Sequence, residues 1–279
     1  MSVGFESIVA TVNTLPPLPE SIRKIEVLFA SEHPEVKELV RIIEADPILT
    51  AGILSKVNAP LYMLRNNIVS ITQAITLFGM ATIRAFAYQT TVSRHFDMDM
   101  SPYNMTNSQF GELCQMQSAL MFQWYMGVDV ELAKSLIPMA FLMETGRVII
   151  ANELAQSDYK NSFKEELPQC TSVEELERFY AGVTTAEVNA MLFEHWNFDP
   201  LFIESMRYLD SNEEIPARYV NTVEALRIVR TCINVKEGIT EMSIAHAKAK
   251  VAAAGLIAER FEHAAMRIWR QHKERSEHE

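Results

Sequence analysis

Apolar residues recur every three to four positions along most of this chain, from about Glu20 to Gln271, and alternating β-branched runs are nearly absent. That periodicity admits amphipathic helices and leaves little from which to build a sheet. Helix starts are marked by repeated chemistry. Asp46-Pro47 and Asp199-Pro200 each place a carboxylate at an N-cap and a proline at the first helical position, where its missing N–H is no loss. Ser70 with Gln73, Ser172 with Glu175 and Thr184 with Glu187 have the three-residue spacing of capping boxes. The pattern predicts an all-α fold: a two-lobed multi-helical bundle followed by a C-terminal helical extension.

The first lobe is read over residues 1–100. The LPPLP strip at Leu15–Pro19 is extended, because proline fixes φ and removes donors. Helices follow over Glu20–Ala30 and Pro34–Ala45. A third is opened by Asp46-Pro47, and its small Ala51 and Gly52 would let a neighbour approach closely. Gly79 breaks the helix begun at Ile71, and a longer one continues to about Phe96. The polar, Met-rich stretch Asp97–Asn107 is the expected linker. A second lobe, 105–213, has helices expected over Ser108–Met126, Val130–Ala155, Thr171–Tyr180, Thr185–His195 and Pro200–Leu209. The extension, 214–279, has helices over Pro216–Val235 and, rich in alanine, over Met242–Gln271. The apolar side of this last helix suits packing on the body or on a second chain.

Charge and composition narrow the function. Lys plus Arg number 25 and Asp plus Glu 36, a net charge of −11, which opposes non-specific nucleic-acid binding. The basic residues Arg267, Arg270, Lys273 and Arg275 are interleaved with Glu274, Glu277 and Glu279, so no nucleic-acid partner is expected. Cys114, Cys170 and Cys232 are widely separated, without a CxxC, and fit reduced cytosolic thiols. No stretch reaches the roughly 18 uncharged apolar residues of a membrane span. The N-terminus lacks a signal peptide's basic start and long apolar run, so the expectation is a soluble, cytoplasmic chain with no membrane partner.

Three segments, in order, carry a resemblance: LPPLPESI from Leu15, DPILTAGILSKVNAPLY from Asp46 and NNIVSITQAITLFG from Asn66. Together they resemble the HDOD domain, a bacterial signalling relative of HD-type metal-dependent phosphohydrolases, over roughly Leu15–Asp210. The resemblance implies that the second lobe is a degenerate HD-like helical subdomain. It places Met143-Glu144, within the apolar segment Ala140–Ile150 read as helix, where active enzymes carry the adjacent His-Asp metal ligands. It places Thr185 at a further histidine, Tyr208-Leu209 at a histidine pair and Gln117 at an upstream ligand. A thioether, a hydroxyl and a phenol do not replace the imidazoles of a dinuclear phosphohydrolase site. Catalytic residues, metal ligands and cofactors are therefore expected to be none. The candidate vestigial-pocket residues are Gln117, Met143, Glu144, Arg147, Thr185 and Tyr208.

Other chemistry finds no foothold. No two histidines share a helix at i, i+4; His95, His195 and His263 fit capping or surface roles. There is no G-x-S-x-G elbow, P-loop or GxGxxG. Glu144 and Arg147 fit a local ion pair, with a remnant polar site as the sharper reading. Arg84 fits either a buried anchor between lobes or an exposed cation. Met98, Met100, Met105, Met116, Met121 and Met126 fit core filling or an adaptable partner surface. The resulting expectation is a non-catalytic bacterial regulatory module in signal transduction, working through protein–protein interaction with partners in trans or through a small-molecule signal in the inter-lobe cleft. The alternatives are an HD-class phosphohydrolase with atypical ligands and a DNA-associated regulator.

Overall fold

The helix starts follow the capping chemistry. Asp46 Oδ1 accepts from Ile48 N at 3.1 Å and Leu49 N at 3.0 Å, and Asp199 accepts from Leu201 N at 2.7 Å. At Thr184 both halves of the capping box are present. The computed structural model describes residues 4–14, 19–95, 98–196 and 198–276. In chain order its helices are α1 (Phe5–Asn13), α2 (Glu20–Phe29), α3 (Val36–Glu44), α4 (Pro47–Val57), α5 (Ile71–His95), α6 (Asn107–Tyr125), α7 (Val130–Leu142), α8 (Gly146–Ala155), α9 (Lys160–Glu166), α10 (Val173–Ala181), α11 (Thr185–His195), α12 (Pro200–Leu209), α13 (Ala217–Cys232), α14 (Glu241–Ala253) and α15 (Ala258–Ser276). The fold is all-α. The one sheet among the described residues is a two-stranded antiparallel ribbon, β1 (Ile233–Asn234) with β2 (Gly238–Ile239), too short to show as an alternating run. Most of the LPPLP strip and the side chain of His95 lie outside the described residues.

The two lobes share one core. Phe86 on α5 meets Phe141 on α7 edge-on at 4.6 Å, and Phe78 stacks on Phe122 of α6 at 5.0 Å. Gly52 lets α4 close on α5, since a Cβ there would lie 2.6 Å from Thr90 Cγ2, whereas Ala51 is exposed and takes no part. Arg84 is the buried anchor: Nε donates to Glu26 Oε1 at 2.8 Å, Nη2 also reaches Glu26, and the guanidinium lies 4.3 Å from the ring centre of Phe198, past α11. The six clustered methionines all pack on or in the core.

Three expectations need correction. The helix read across Val130–Ala155 is interrupted at Met143–Thr145 and resumes as α8. The cause is Asn189 on α11. Its amide nitrogen donates to the Met143 carbonyl and its oxygen accepts from Gly146 N at 2.6 Å, so one side chain takes up hydrogen-bonding groups that a continuous helix would pair internally. The expected single helix Met242–Gln271 is two, α14 and α15. Gly255 adopts φ +69°, and Leu256 N returns to Val251 O at 3.0 Å, a Schellman end that overrides alanine propensity. The expected linker is packed, with Met100, Pro102 and Tyr103 buried and Asp99 N held by Asn152 Oδ1 at 2.9 Å. Near the N-terminus, α1 docks on α8 and α11 of the second lobe, where Ser7 and Thr11 donate to Glu153, each at 2.6 Å.

The long last element settles on the body of its own chain: α15 packs on α6, with Phe261 edge-on to Trp124 at 5.0 Å. No described helix is long and apolar enough to cross a membrane.

Gly79 breaks α5 at φ +78°, ψ +159°, a conformation open essentially to glycine alone. An added Cβ would meet only Lys134 Cγ at 3.6 Å, so the penalty is backbone strain and not collision. Gly79→Ala is expected to lower unfolding free energy by about 1–3 kcal/mol in urea titration. Unchanged stability would show that the kink is dispensable.

Candidate functional site

The interruption at Met143–Thr145 creates the site. It turns Glu144 inward between helices instead of leaving it on a continuous helix face. Gly146 is what allows α8 and α11 to close there, since a Cβ at that position would sit 2.6 Å from Thr185 O and 2.9 Å from Asn189 N. Both atoms are backbone and cannot rotate away.

Around Glu144 lies a buried network of charged and polar side chains. Arg147 donates to Glu144 Oε2 through Nε at 3.0 Å and Nη2 at 2.8 Å, while its Nη1 donates to Glu177 Oε1. Gln117 Nε2 donates to Glu144 Oε1 at 3.1 Å and to Ile233 O at 2.9 Å. Arg230 on α13 brings Nε within 3.3 Å of the same Glu144 oxygen and donates through Nη1 to Asp210 Oδ1 at 2.5 Å. Glu177 also accepts from Tyr103 Oη at 2.9 Å, Thr185 Oγ1 at 2.8 Å and Thr185 N at 2.7 Å. The guanidinium of Arg147 lies 4.9 Å from the Tyr103 ring centre.

Burial and neighbours divide the carboxylates. For Glu144, burial disfavours the charge, but Arg147 and Arg230 outweigh it and hold the carboxyl below its ordinary value. For Glu177, burial prevails over the same two arginines and pushes the carboxyl up. Burial and the adjoining Glu177 also push Tyr103 well up, so it stays a phenol and can donate.

Of the six residues expected from sequence, Gln117, Glu144, Arg147 and Thr185 meet in this network. Met143 is fully buried beside it, contributing a backbone carbonyl and no ligand atom. Tyr208 stands apart: half-buried, it stacks on Tyr219 with ring centres 6.1 Å apart. The Glu144–Arg147 ion pair is therefore real, but it is one edge of a larger buried set. Glu177, Tyr103, Asp210 and Arg230 are further members of the network that sequence reasoning did not single out. For two of them a signal existed. Glu177 follows Val173 by four on the apolar face of α10, and Arg230 follows Leu226 by four on that of α13.

These donors do not fit a dinuclear metal centre. Both oxygens of Glu144 and of Glu177 already accept hydrogen bonds, no imidazole joins them, and two guanidiniums stand within the cluster. Among the described residues no group of three or more His, Cys, Asp or Glu is arranged to hold a metal ion.

Comparison with known proteins places this geometry. The HDOD domain family matches residues 15–211, most of the chain. A crystal structure of a Campylobacter jejuni virulence factor is 27% identical, with 90% of this chain and 88% of that chain covered at a TM-score of 0.56. A candidate phosphohydrolase from Shewanella amazonensis SB2B aligns over 96% of both chains at a TM-score of 0.68 and 16% identity. A candidate signal transduction protein from Marinobacter aquaeolei VT8 aligns over 94% of this chain and 58% of that chain at a TM-score of 0.67 and 19% identity. An uncharacterized Treponema pallidum protein is 20% identical over 244 residues, and the chain spans only 45% of its length. The chain belongs to the HDOD domain family.

Two predictions test the network. Arg147→Met leaves Glu144 and Glu177 facing each other without their shared cation and should cost about 3–5 kcal/mol of stability, read by urea unfolding. A loss under about 1 kcal/mol would mean that Arg230 and water compensate. The second concerns pH. The carboxyl of Glu144 is held below 4.5 in the fold, so its contribution is complete above that pH and is lost as pH falls through the folded value. The stability gap between the natural chain and Glu144→Gln should therefore narrow on acidification from about pH 7 to about pH 3. A gap that widens would reverse the assignment.

Proposed function

We propose that this HDOD-family chain is a non-catalytic regulatory module of bacterial signal transduction that acts in the cytoplasm by binding protein partners. One observation carries this reading: Arg147 and Arg230 neutralise the carboxylate at the place the resemblance gives to metal ligands. A phosphohydrolase needs exchangeable divalent cations there to lower the pKa of a bound water and to polarise the phosphoryl group. Guanidiniums supply positive charge and fixed donors, but they have no open coordination position and scarcely titrate. They support a static, specific core on which surfaces can be displayed. The name of the Marinobacter relative agrees with a signalling role, and that of the Shewanella relative marks the competing hydrolytic one.

Turnover separates the two. Purified full chain with Mn²⁺ or Fe²⁺ and bis(p-nitrophenyl) phosphate should release nitrophenol at the buffer rate, and Glu144→Ala should behave identically. Stoichiometric metal together with a hydrolytic rate that disappears in Glu144→Ala would overturn the proposal.

A further inference from the structure

We infer that the groove beside this plugged core binds a small zwitterion of the α-amino acid class. The groove, about 1150 Å³, runs between the first turn of α10, the segment 209–213 after α12, and the facing sides of α13 and α14. It is larger than an ordinary small-molecule pocket, so an amino acid would occupy only the part beside Arg230 and Asp210.

The floor of the groove includes the Arg230–Asp210 pair. One arm of that pair is closed, Nη1 to Oδ1. The other is open: Arg230 Nη2 and Asp210 Oδ2 are both buried, and neither has a hydrogen-bond partner. The two side chains are only 9% and 6% exposed, so solvent does not freely satisfy them. The adjoining side chains thus offer a ligand one donor and one acceptor next to each other.

Charge selects the occupant. A simple anion drawn to Arg230 would meet Asp210 and Glu174, and a simple cation drawn to Asp210 would meet Arg230. The complement of a cation beside an anion is an anion beside a cation. An α-amino acid carries its carboxylate and ammonium on one carbon. Glu174 shows how the carboxylate end would be received. Its Oε1 lies 3.8 Å from Arg230 Nη2, too far for a hydrogen bond, and its side chain is 38% exposed. Ser172 Oγ donates to its Oε2 at 2.7 Å, but its Oε1 makes no hydrogen bond to Arg230, so a ligand carboxylate competes with that oxygen for Nη2 while the ammonium donates to Asp210 Oδ2. This inference deepens the regulatory reading and rests on it only in treating the ligand as a signal.

The test is titration of the full chain with each common amino acid at millimolar concentration, followed by amide chemical shifts in ¹H–¹⁵N spectra. At least one should give a saturable response in residues 171–175 and 209–213. N-acetylation of that amino acid, which removes the ammonium, and amidation of its α-carboxyl should each weaken binding at least about tenfold. Asp210→Asn should do the same, and Glu174→Ala should tighten binding severalfold by removing the competitor. The inference is overturned if no amino acid gives a saturable response, or if the acetylated and amidated analogues bind as well as the parent. The analogues act on the unaltered protein, so the outcome does not hang on a variant folding. Such a failure would leave the non-catalytic reading standing, because that reading is decided by turnover.

Discussion

Arg147 is the constraint on which the second lobe depends. Its guanidinium is fully buried and shared between Glu144 in the break after α7 and Glu177 in the middle of α10. A buried guanidinium is tolerable only when desolvation is offset by several well-placed acceptors. That requirement fixes the orientation of α10 and the inward turn of Tyr103 simultaneously, across a break that Asn189 holds open. Arg230 extends it to α13, so the extension beyond the family match is tied to the core by charge as well as by apolar contact. Moving any of these elements by an ångström or two would leave a buried charge underpaired.

Helix positions were legible in the sequence because capping is local. Asp46, Thr184 and Asp199 act on N–H groups two or three residues away, and no distant residue changes that arithmetic. Interruptions were harder to read. Gly255 ends α14 by a local rule, but alanine content around it argued for continuity. The break at Met143–Thr145 has only Gly146 as a local sign, and it depends on the amide of Asn189, more than forty residues downstream. The site followed the same division. Glu144 and Arg147 are neighbours on the chain and could be paired by spacing. Glu177 and Arg230 are brought in by packing, and their one trace is a charge at an apolar position of an otherwise ordinary helix face. Tyr208 was placed by resemblance and not by periodicity, and it lies on Tyr219 away from the network.

A metal ion and a guanidinium can each neutralise a buried carboxylate, yet they leave a fold with different capacities. A metal is exchangeable, keeps open coordination positions and activates what occupies them. An arginine is tethered, directional and always protonated, so every acceptor it meets must be supplied by the fold. In this chain the acceptors are nearly but not completely matched. Both oxygens of Glu144 and of Glu177 accept hydrogen bonds, while Gln117 Oε1 in the inner network and Arg230 Nη2 and Asp210 Oδ2 at the outer end each stay unfilled. A charge network anchored by arginine thus takes up both oxygens of Glu144 with fixed donors and leaves an adjoining donor and acceptor, Arg230 Nη2 and Asp210 Oδ2, beside the groove.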